Sequence, residues 1–218
     1  MIRVKHVILG DFGTSFTKIL DLGTGERRIV PTPEARKLRA DAATGHNSAL
    51  HSSRTIGELL AMARGAQKLV GPDFHVLDIG SRDMKFLHAE NGRVVRMDWN
   101  TQCGAMTGFT LELLGNYYRL DFSKTPPSSN EYPLTCGVLG LERAFDDMAM
   151  GMEPQEALAR FARGLATAAY RFIGRPEKFY LSGGMCDNEL FLKSFPEGAE
   201  VIPLGRFVLV EGLAVEVQ

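Results

Sequence analysis

The chain has 218 residues, of which 44% are hydrophobic and 23% charged, and its formal net charge is −1. This balance offers no basic surface for nucleic acid or an anionic membrane, and the longest apolar runs fall far short of the roughly 20 residues of a transmembrane helix. The N-terminal stretch carries charges among its apolar residues, so it predicts a first strand rather than a signal peptide. The chain has 3 cysteines, and this odd number favours a reducing cytoplasm over a disulfide framework. We therefore expect a cytoplasmic protein of one large domain or two small lobes.

The first predicted element is a β-hairpin with strands over 4–11 and 16–22. Glycines at its tip, GDFGTS, allow backbone N–H groups to approach a ligand. Thr14, Ser15 and Lys18 are suited to contact phosphate oxygens, and Asp11 is suited to hold a metal ion or its water shell. An ordinary hairpin turn is the alternative interpretation of this segment taken alone.

A second segment of similar design lies in the middle of the chain. The buried strand over 74–79 opens into the turn DIGSRDMK, which again places a lysine beyond an acidic residue and a glycine. This internal repeat predicts two related lobes that bind one ligand. The other elements predicted in this half are a strand over 27–30, a short helix near 34–42, a helix over 55–69 and strands over 86–89 and 94–97.

Two cysteine segments in the second half, NTQCGAMTGFTLE and LTCGVLGLE, each place a cysteine before a short glycine-containing run and an amphipathic helix. Asn100 and Thr101, or Thr135, are available as helix caps. A thiolate at a helix start is favoured by unpaired N–H groups and by the helix dipole. Two such cysteines make half of a four-thiolate site, which a symmetric dimer would complete; small buried hydrophobic residues are the alternative.

The remaining predicted elements follow in chain order. They are helices over 109–118, 136–150, 155–173 and 189–194, strands over 178–181 and 201–202, and a final short helix over 212–217.

With these motifs in view, the chain resembles the activator ATPases of 2-hydroxyacyl-CoA dehydratases and benzoyl-CoA reductases, the BadF/BadG/BcrA/BcrD family of the actin-like superfamily. GDFGTSFTK resembles the first phosphate hairpin of that family, DIGSRDMK the second, and YLSGGMCDNELF the adenosine segment. NTQCGAMTGFTLE and LTCGVL resemble the two cysteine segments, which general superfamily members lack. The resemblance covers nearly the whole chain. It implies an α/β, two-lobed actin-like (ribonuclease H-like) ATPase fold with mixed sheets, with a reduced first lobe over 1–77 and 200–218 and a second lobe over 78–199.

The resemblance also implies a set of functional residues. Cys103 and Cys136 of each chain would hold one [4Fe-4S] cluster between the subunits of a homodimer. ATP with Mg²⁺ would bind in each subunit, with Asp11 and Asp78 organising the cation and Asp11 and Asp83 as catalytic residues, Asp83 acting on the hydrolytic water. The other implied nucleotide contacts are Gly13, Thr14, Ser15, Lys18 and Gly80 for the phosphates, and Gly183 and Gly184 for the adenosine.

The implied function is that of an ATP-dependent activator that passes a low-potential electron from the cluster to a partner iron–sulfur enzyme of the dehydratase or reductase type. The chain departs from the family pattern at Ser81, Arg82, Met84 and Met106. It is also shorter between the first hairpin and Gly45, which predicts the loss of a helix. Cys186 has no counterpart among the ligands, and we interpret it as a thiol without a ligand role.

Two alternatives stay open. The altered second hairpin is compatible with a non-hydrolysing cluster- or nucleotide-binding subunit that assembles with, or matures, another redox enzyme. A small-molecule kinase is the third hypothesis, which the lack of room for a substrate lobe disfavours.

Overall fold

The computed structural model describes residues 6–100 and 106–217. Within these ranges the chain forms nine strands and six α-helices. The strands are β1 (Ile8–Phe12), β2 (Phe16–Asp21), β3 (Arg27–Pro31), β4 (Ala42–Thr44), β5 (Phe74–Ile79), β6 (Met84–Glu90), β7 (Arg93–Asn100), β8 (Lys178–Gly183) and β9 (Glu200–Gly205). The helices are α1 (Glu58–Val70), α2 (Gly108–Tyr117), α3 (Gly137–Ala149), α4 (Pro154–Phe172), α5 (Glu189–Lys193) and α6 (Val208–Val217).

Two sheets organise these elements. The first has the strand order β3-β2-β1-β4, with β1 antiparallel to β2 and parallel to β4. The second has the order β7-β6-β5-β8-β9, with β8 parallel to both β5 and β9. In each sheet, therefore, the first strand of a hairpin also pairs with a later parallel strand, and the mixed α/β architecture predicted from the motifs is confirmed.

The chain divides into two compact units. The first contains Met1–Phe74, Leu87–Arg96 and Arg206–Gln218, and the second contains His75–Phe86 and Met97–Gly205. The lobe boundaries that the family resemblance implies stay a prediction.

In the first unit, α1 and α6 pack with their backbones almost in contact. A Cβ atom added at Gly65 would lie 1.8 Å from the Val208 carbonyl oxygen, and one added at Gly212 would lie 1.7 Å from that of Ala61. Only glycine permits this approach. Beside the helix pair, the buried Glu211 carboxylate bonds Arg27 and accepts from Lys68 Nζ at 2.7 Å, which compensates its burial.

The core of the second unit is built around α4. Its buried positions recur at helical spacing, and the less buried positions among them include Arg160, Arg163 and Thr167. Pro154 occupies the first turn, as predicted, where its missing N–H costs nothing. The buried α4 side chains contact a cluster that includes Leu77, Ile79, Phe179, Leu181 and Phe191.

Most predicted elements are confirmed, but the helix near 34–42 is wrong. The chain forms a short 3-10 turn over Thr32–Ala35 and then the strand β4. The residues Ala42–Thr44 are all buried and bond to β1, so tertiary pairing decides their conformation. None of the helices in the described ranges is long and apolar enough to cross a membrane.

The predicted helix caps are also wrong. Asn100 is the last residue of β7, and α2 begins later, with Thr107 as its N-cap. Cys136 itself, rather than Thr135, is the N-cap of α3. Thr101 lies outside the described residues.

Candidate functional site

The first phosphate hairpin pairs a carboxylate with a lysine. The β1–β2 register places Asp11 opposite Lys18, and Lys18 Nζ lies 2.8 Å from Asp11 Oδ2. Both side chains are largely buried, with 6% of Asp11 and 15% of Lys18 exposed. At the tip, Thr14 is exposed and Ser15 half-buried, and a Cβ atom at Gly13 would lie 2.9 Å from the Phe16 carbonyl oxygen. The structure thus brings together the predicted phosphate and metal contacts of this hairpin.

A neighbouring strand end, unrecognised in the sequence, completes this arrangement. The parallel pairing of β1 and β4 sets Thr44 opposite Asp11, and Gly45 follows with φ of +94°. A Cβ atom at Gly45 would lie 2.6 Å from Asp11 Oδ1 and 2.7 Å from the Phe12 carbonyl oxygen. Glycine at this position is therefore what allows the Asp11 carboxylate to keep its place.

The second hairpin holds a different set of contacts. Its turn closes through a hydrogen bond from the Gly80 N–H to the Asp83 carbonyl oxygen at 3.1 Å. The Asp83 carboxylate accepts from Lys85 Nζ at 2.6 Å and from the indole nitrogen of Trp99 at 2.8 Å. Lys85 is buried, and its Nζ lies 5.0 Å from the centre of the Trp99 ring. Sequence reasoning missed Trp99, because no local motif connects it to the turn.

The end of β8 repeats the pattern found at β4. Its parallel pairing with β5 sets Ser182 opposite the buried Asp78, and Gly183 follows with φ of +83°. A Cβ atom at Gly183 would lie 2.4 Å from the Ile79 carbonyl oxygen. The predicted adenosine contact Gly184 is exposed and begins a 3-10 turn. In each sheet, therefore, an aspartate lies opposite a hydroxyl residue that is followed by a glycine. In the sequence this similarity is visible only as the dipeptides Thr44-Gly45 and Ser182-Gly183.

Cys186, to which the sequence assigns no ligand role, lies in the same 3-10 turn. It is buried, and its Sγ hydrogen-bonds Asp187 Oδ1 at 3.3 Å.

The second hairpin is bonded to residues on both sides of positions 101–105, which include Cys103. Residues 101–105, including Cys103, lie outside the described residues. On the later side, Thr107 Oγ1 donates to the Ser81 carbonyl oxygen at 2.7 Å, and the Gly108 N–H donates to that of Gly80 at 3.3 Å. On the earlier side, Trp99 bonds the carboxylate of Asp83. A change in the conformation of this turn would therefore alter contacts on both sides of positions 101–105.

Cys136 is held at the start of α3 by the segment that precedes it. It is half-buried and has extended backbone angles. Leu134 fills the space left by two glycines, since Cβ atoms at Gly140 and Gly164 would lie 2.0 and 2.9 Å from its side chain. The Tyr132 hydroxyl donates to Asp147 Oδ2 at 2.8 Å. These contacts anchor the segment that leads into α3. As the N-cap of that helix, Cys136 lies at the positive end of the helix dipole, where a thiolate is favoured.

Within residues 6–100 and 106–217, no group of three or more His, Cys, Asp and Glu side chains converges to hold a metal ion. The predicted cluster would take only two thiolate ligands from each chain, so it does not require a group of three within one chain.

Comparison with solved structures identifies the fold. The chain aligns with the activator of the 2-hydroxyisocaproyl-CoA dehydratase from Clostridium difficile with bound ADPNP at a TM-score of 0.81 and 18% identity, covering 97% of this chain and 94% of that one. It aligns with the (R)-2-hydroxyglutaryl-CoA dehydratase component A of Acidaminococcus fermentans at a TM-score of 0.77 and 19% identity, covering 97% and 96%. The chain therefore has the fold of these two structures, the actin-like fold that the family resemblance implies.

Sequence comparison finds two relatives that are named as dehydratase activators. The chain is 25% identical over 160 residues to the (R)-2-hydroxyglutaryl-CoA dehydratase activating ATPase of Acidaminococcus fermentans, covering 69% of this chain and 61% of the relative. It is 25% identical over 147 residues to a 2-hydroxyisocaproyl-CoA dehydratase activator of Clostridioides difficile, covering 63% and 55%. The chain thus spans less than two thirds of the length of the curated relatives it matches, and no family model matches it. The predicted resemblance is confirmed: the chain is similar in sequence to two proteins named as activators of 2-hydroxyacyl-CoA dehydratases.

Proposed function

We propose that this protein is an ATP-dependent activator that delivers a low-potential electron to a partner iron–sulfur enzyme of the 2-hydroxyacyl-CoA dehydratase or benzoyl-CoA reductase type. Similarity to two dehydratase activators supports the proposal. The observation that carries it is the bonding of the second hairpin to residues on both sides of positions 101–105, which include Cys103. Such bonding gives nucleotide chemistry a physical route to the thiolates.

In this proposal the hairpin residues bind Mg-ATP. Asp11 and Asp78 supply carboxylate oxygens, which are the ligands that Mg²⁺ prefers. Lys18 exchanges its bond with Asp11 for phosphate oxygens, and Asp83 orients the hydrolytic water. The other proposed contacts are Gly13, Thr14, Ser15 and Gly80 for the phosphates, and Gly183 and Gly184 for the adenosine.

Cys103 and Cys136 of two chains would hold one [4Fe-4S] cluster. When bound, such a cluster supplies a one-electron carrier of low potential. The position of Cys136 at the start of α3 favours its thiolate form and an anionic ligand.

Exposed apolar side chains near the cysteine segments support a homodimer and a docking surface for the partner enzyme. On α2, Phe109, Leu113 and Tyr117 are 43%, 51% and 77% exposed, and their spacing of four residues places them along one side of the helix. On α3, Val138 and Leu139 follow Cys136 and are about half exposed. Large exposed apolar side chains that share one side of a helix are typical of interaction sites.

Cluster assembly is tested by anaerobic reconstitution with iron and sulfide. The wild type should bind about four iron atoms per dimer with broad visible absorbance. Cys103→Ala and Cys136→Ala should each abolish iron binding and the dimer seen by sedimentation. Cys186→Ala is the matched control, because that buried thiol is bonded within its own turn, and it should leave iron binding unchanged. Iron-free wild-type protein after reconstitution would contradict the proposal.

Turnover is tested with Mg-ATP in the presence and absence of a dehydratase of the 2-hydroxyacyl-CoA type. Wild-type protein should hydrolyse ATP and activate the dehydratase, and Asp11→Asn should do neither. ATP binding without hydrolysis would instead support a second candidate function, a non-hydrolysing subunit that assembles with or matures a redox enzyme. The engagement of both Asp83 oxygens by Lys85 and Trp99 favours this second candidate.

A further inference from the structure

Two buried hydroxyl groups in the described parts of the chain have no hydrogen-bond partner. They are Thr44 Oγ1 and Ser182 Oγ, on residues that are 0% and 1% exposed. An unmade hydrogen bond of a buried hydroxyl is unfavourable and is rare in native proteins. A pair of such groups therefore indicates bonds that form in another state of the protein.

The two hydroxyls occupy equivalent positions. Thr44 pairs with Asp11 across the parallel strands β1 and β4, and Ser182 pairs with Asp78 across the parallel strands β5 and β8. Residues paired in register on neighbouring strands project from the same face of a sheet, so each hydroxyl shares a face with a carboxylate. The coincidence in two separate sheets argues against an accidental packing defect.

We infer that Thr44 and Ser182 are positioning residues, whose hydroxyls donate to the carboxylates of Asp11 and Asp78 when those carboxylates hold the cation of a bound nucleotide. The inference rests on the proposed nucleotide binding and extends it to two residues that the sequence did not assign as metal or phosphate contacts.

The contacts of Asp11 explain why the bond is absent in this structure. Lys18 Nζ, on the neighbouring hairpin strand, holds Oδ2, while Oδ1 lies beside the backbone of Gly45. Phosphate groups compete for Lys18, which releases the carboxylate to a cation. A carboxylate that ligates a metal is commonly fixed by a second hydrogen bond, and loss of such a partner typically weakens metal binding ~10–100-fold.

The test uses substitutions that remove one hydroxyl with little change in volume, Thr44→Val and Ser182→Ala. Each should leave the urea midpoint of the nucleotide-free protein unchanged or raise it, because no hydrogen bond is lost. Each should weaken the affinity for Mg-ADPNP, measured by calorimetry, ~10-fold or more, because a metal-ligating carboxylate would lose its hydrogen-bond donor. Binding of ADPNP in excess EDTA should not change.

Two further variants are controls. Thr44→Ser retains the hydroxyl and should keep the affinity for Mg-ADPNP. Ser194→Ala removes a buried hydroxyl that donates to the Leu190 carbonyl oxygen at 2.6 Å. It should lower the urea midpoint and leave the affinity unchanged, the reverse of Ser182→Ala.

The outcomes separate the inference from the proposed function. A wild type that does not bind Mg-ADPNP overturns the proposed function and this inference with it. A wild type that binds, with Thr44→Val and Ser182→Ala binding equally well, overturns the inference alone. Loss of folding or a lower urea midpoint in both variants also overturns it, because the hydroxyls would then be bonded already.

Discussion

Substitution of Gly45 by alanine tests whether the end of β4 fixes the Asp11 carboxylate. Two costs add in this variant. A side chain at φ of +94° is strained by ~1–2 kcal/mol, of which ~0.4–1 kcal/mol is recovered because alanine restricts the unfolded chain. The new Cβ would also lie 2.6 Å from Asp11 Oδ1 and 2.7 Å from the Phe12 carbonyl oxygen. The carboxylate can move away but the backbone cannot do so easily, and such overpacking typically costs ~1–3 kcal/mol.

Gly71→Ala is the matched control. Gly71 has φ of +95°, and a Cβ atom there would meet nothing within 4 Å. It therefore carries the backbone strain without the contact. We expect the free energy of unfolding in urea to fall by ~1 kcal/mol for Gly71→Ala and by ~2–4 kcal/mol for Gly45→Ala.

Nucleotide affinity should distinguish the two variants further. Displacement of the Asp11 carboxylate should weaken Mg-ADPNP binding by at least ~10-fold, which corresponds to ~1.4 kcal/mol, in Gly45→Ala only. If the two variants lose equal stability and bind the nucleotide equally, the close packing of Gly45 on Asp11 has no functional role and the reasoning is refuted.

Three other predictions concern the scaffold. Gly212→Ala should lower the free energy of unfolding by at least ~1–3 kcal/mol in urea titrations, because its Cβ would lie 1.7 Å from the Ala61 carbonyl oxygen; an unchanged midpoint would contradict the close packing of α1 and α6. Burial and the bond to Asp147 raise the pKa of the Tyr132 phenol above 10.0, so its stabilisation of the fold is complete below pH 10.0 and is lost progressively as the pH rises through the raised pKa. Tyr132→Phe should lower the free energy of unfolding in urea by ~1–3 kcal/mol at neutral pH and by less at alkaline pH. Hydrogen bonds from Ser123, and secondarily from Lys124, lower the pKa of Asp121 from 3.8 to about 2. The ionised carboxylate therefore stabilises the fold fully above pH 3.8, and this stabilisation is lost as the pH falls through about 2. Asp121→Asn should reduce the fall of the urea midpoint between these pH values, and an unchanged fall would refute the assignment.

The sequence alone was sufficient where the signal is local. The two hairpins follow from short-range alternation and glycine turns, and α1 and α4 follow from apolar residues repeating at helical spacing. The sequence predicts Cys136 at a helix start, and it is the N-cap of α3. These features depend on interactions between residues close together in the sequence, so local periodicity is enough to predict them. The family resemblance rests on the same local segments.

Tertiary structure decided the features that depend on distant partners. Residues 42–44 form a strand because they pair in parallel with β1. The same pairing places Thr44 and Gly45 beside Asp11. Trp99 reached Asp83 only because the β6–β7 connection brings its strand back beside the hairpin. No periodicity in the chain encodes these contacts, since the free energy of pairing and burial comes from residues far apart in sequence.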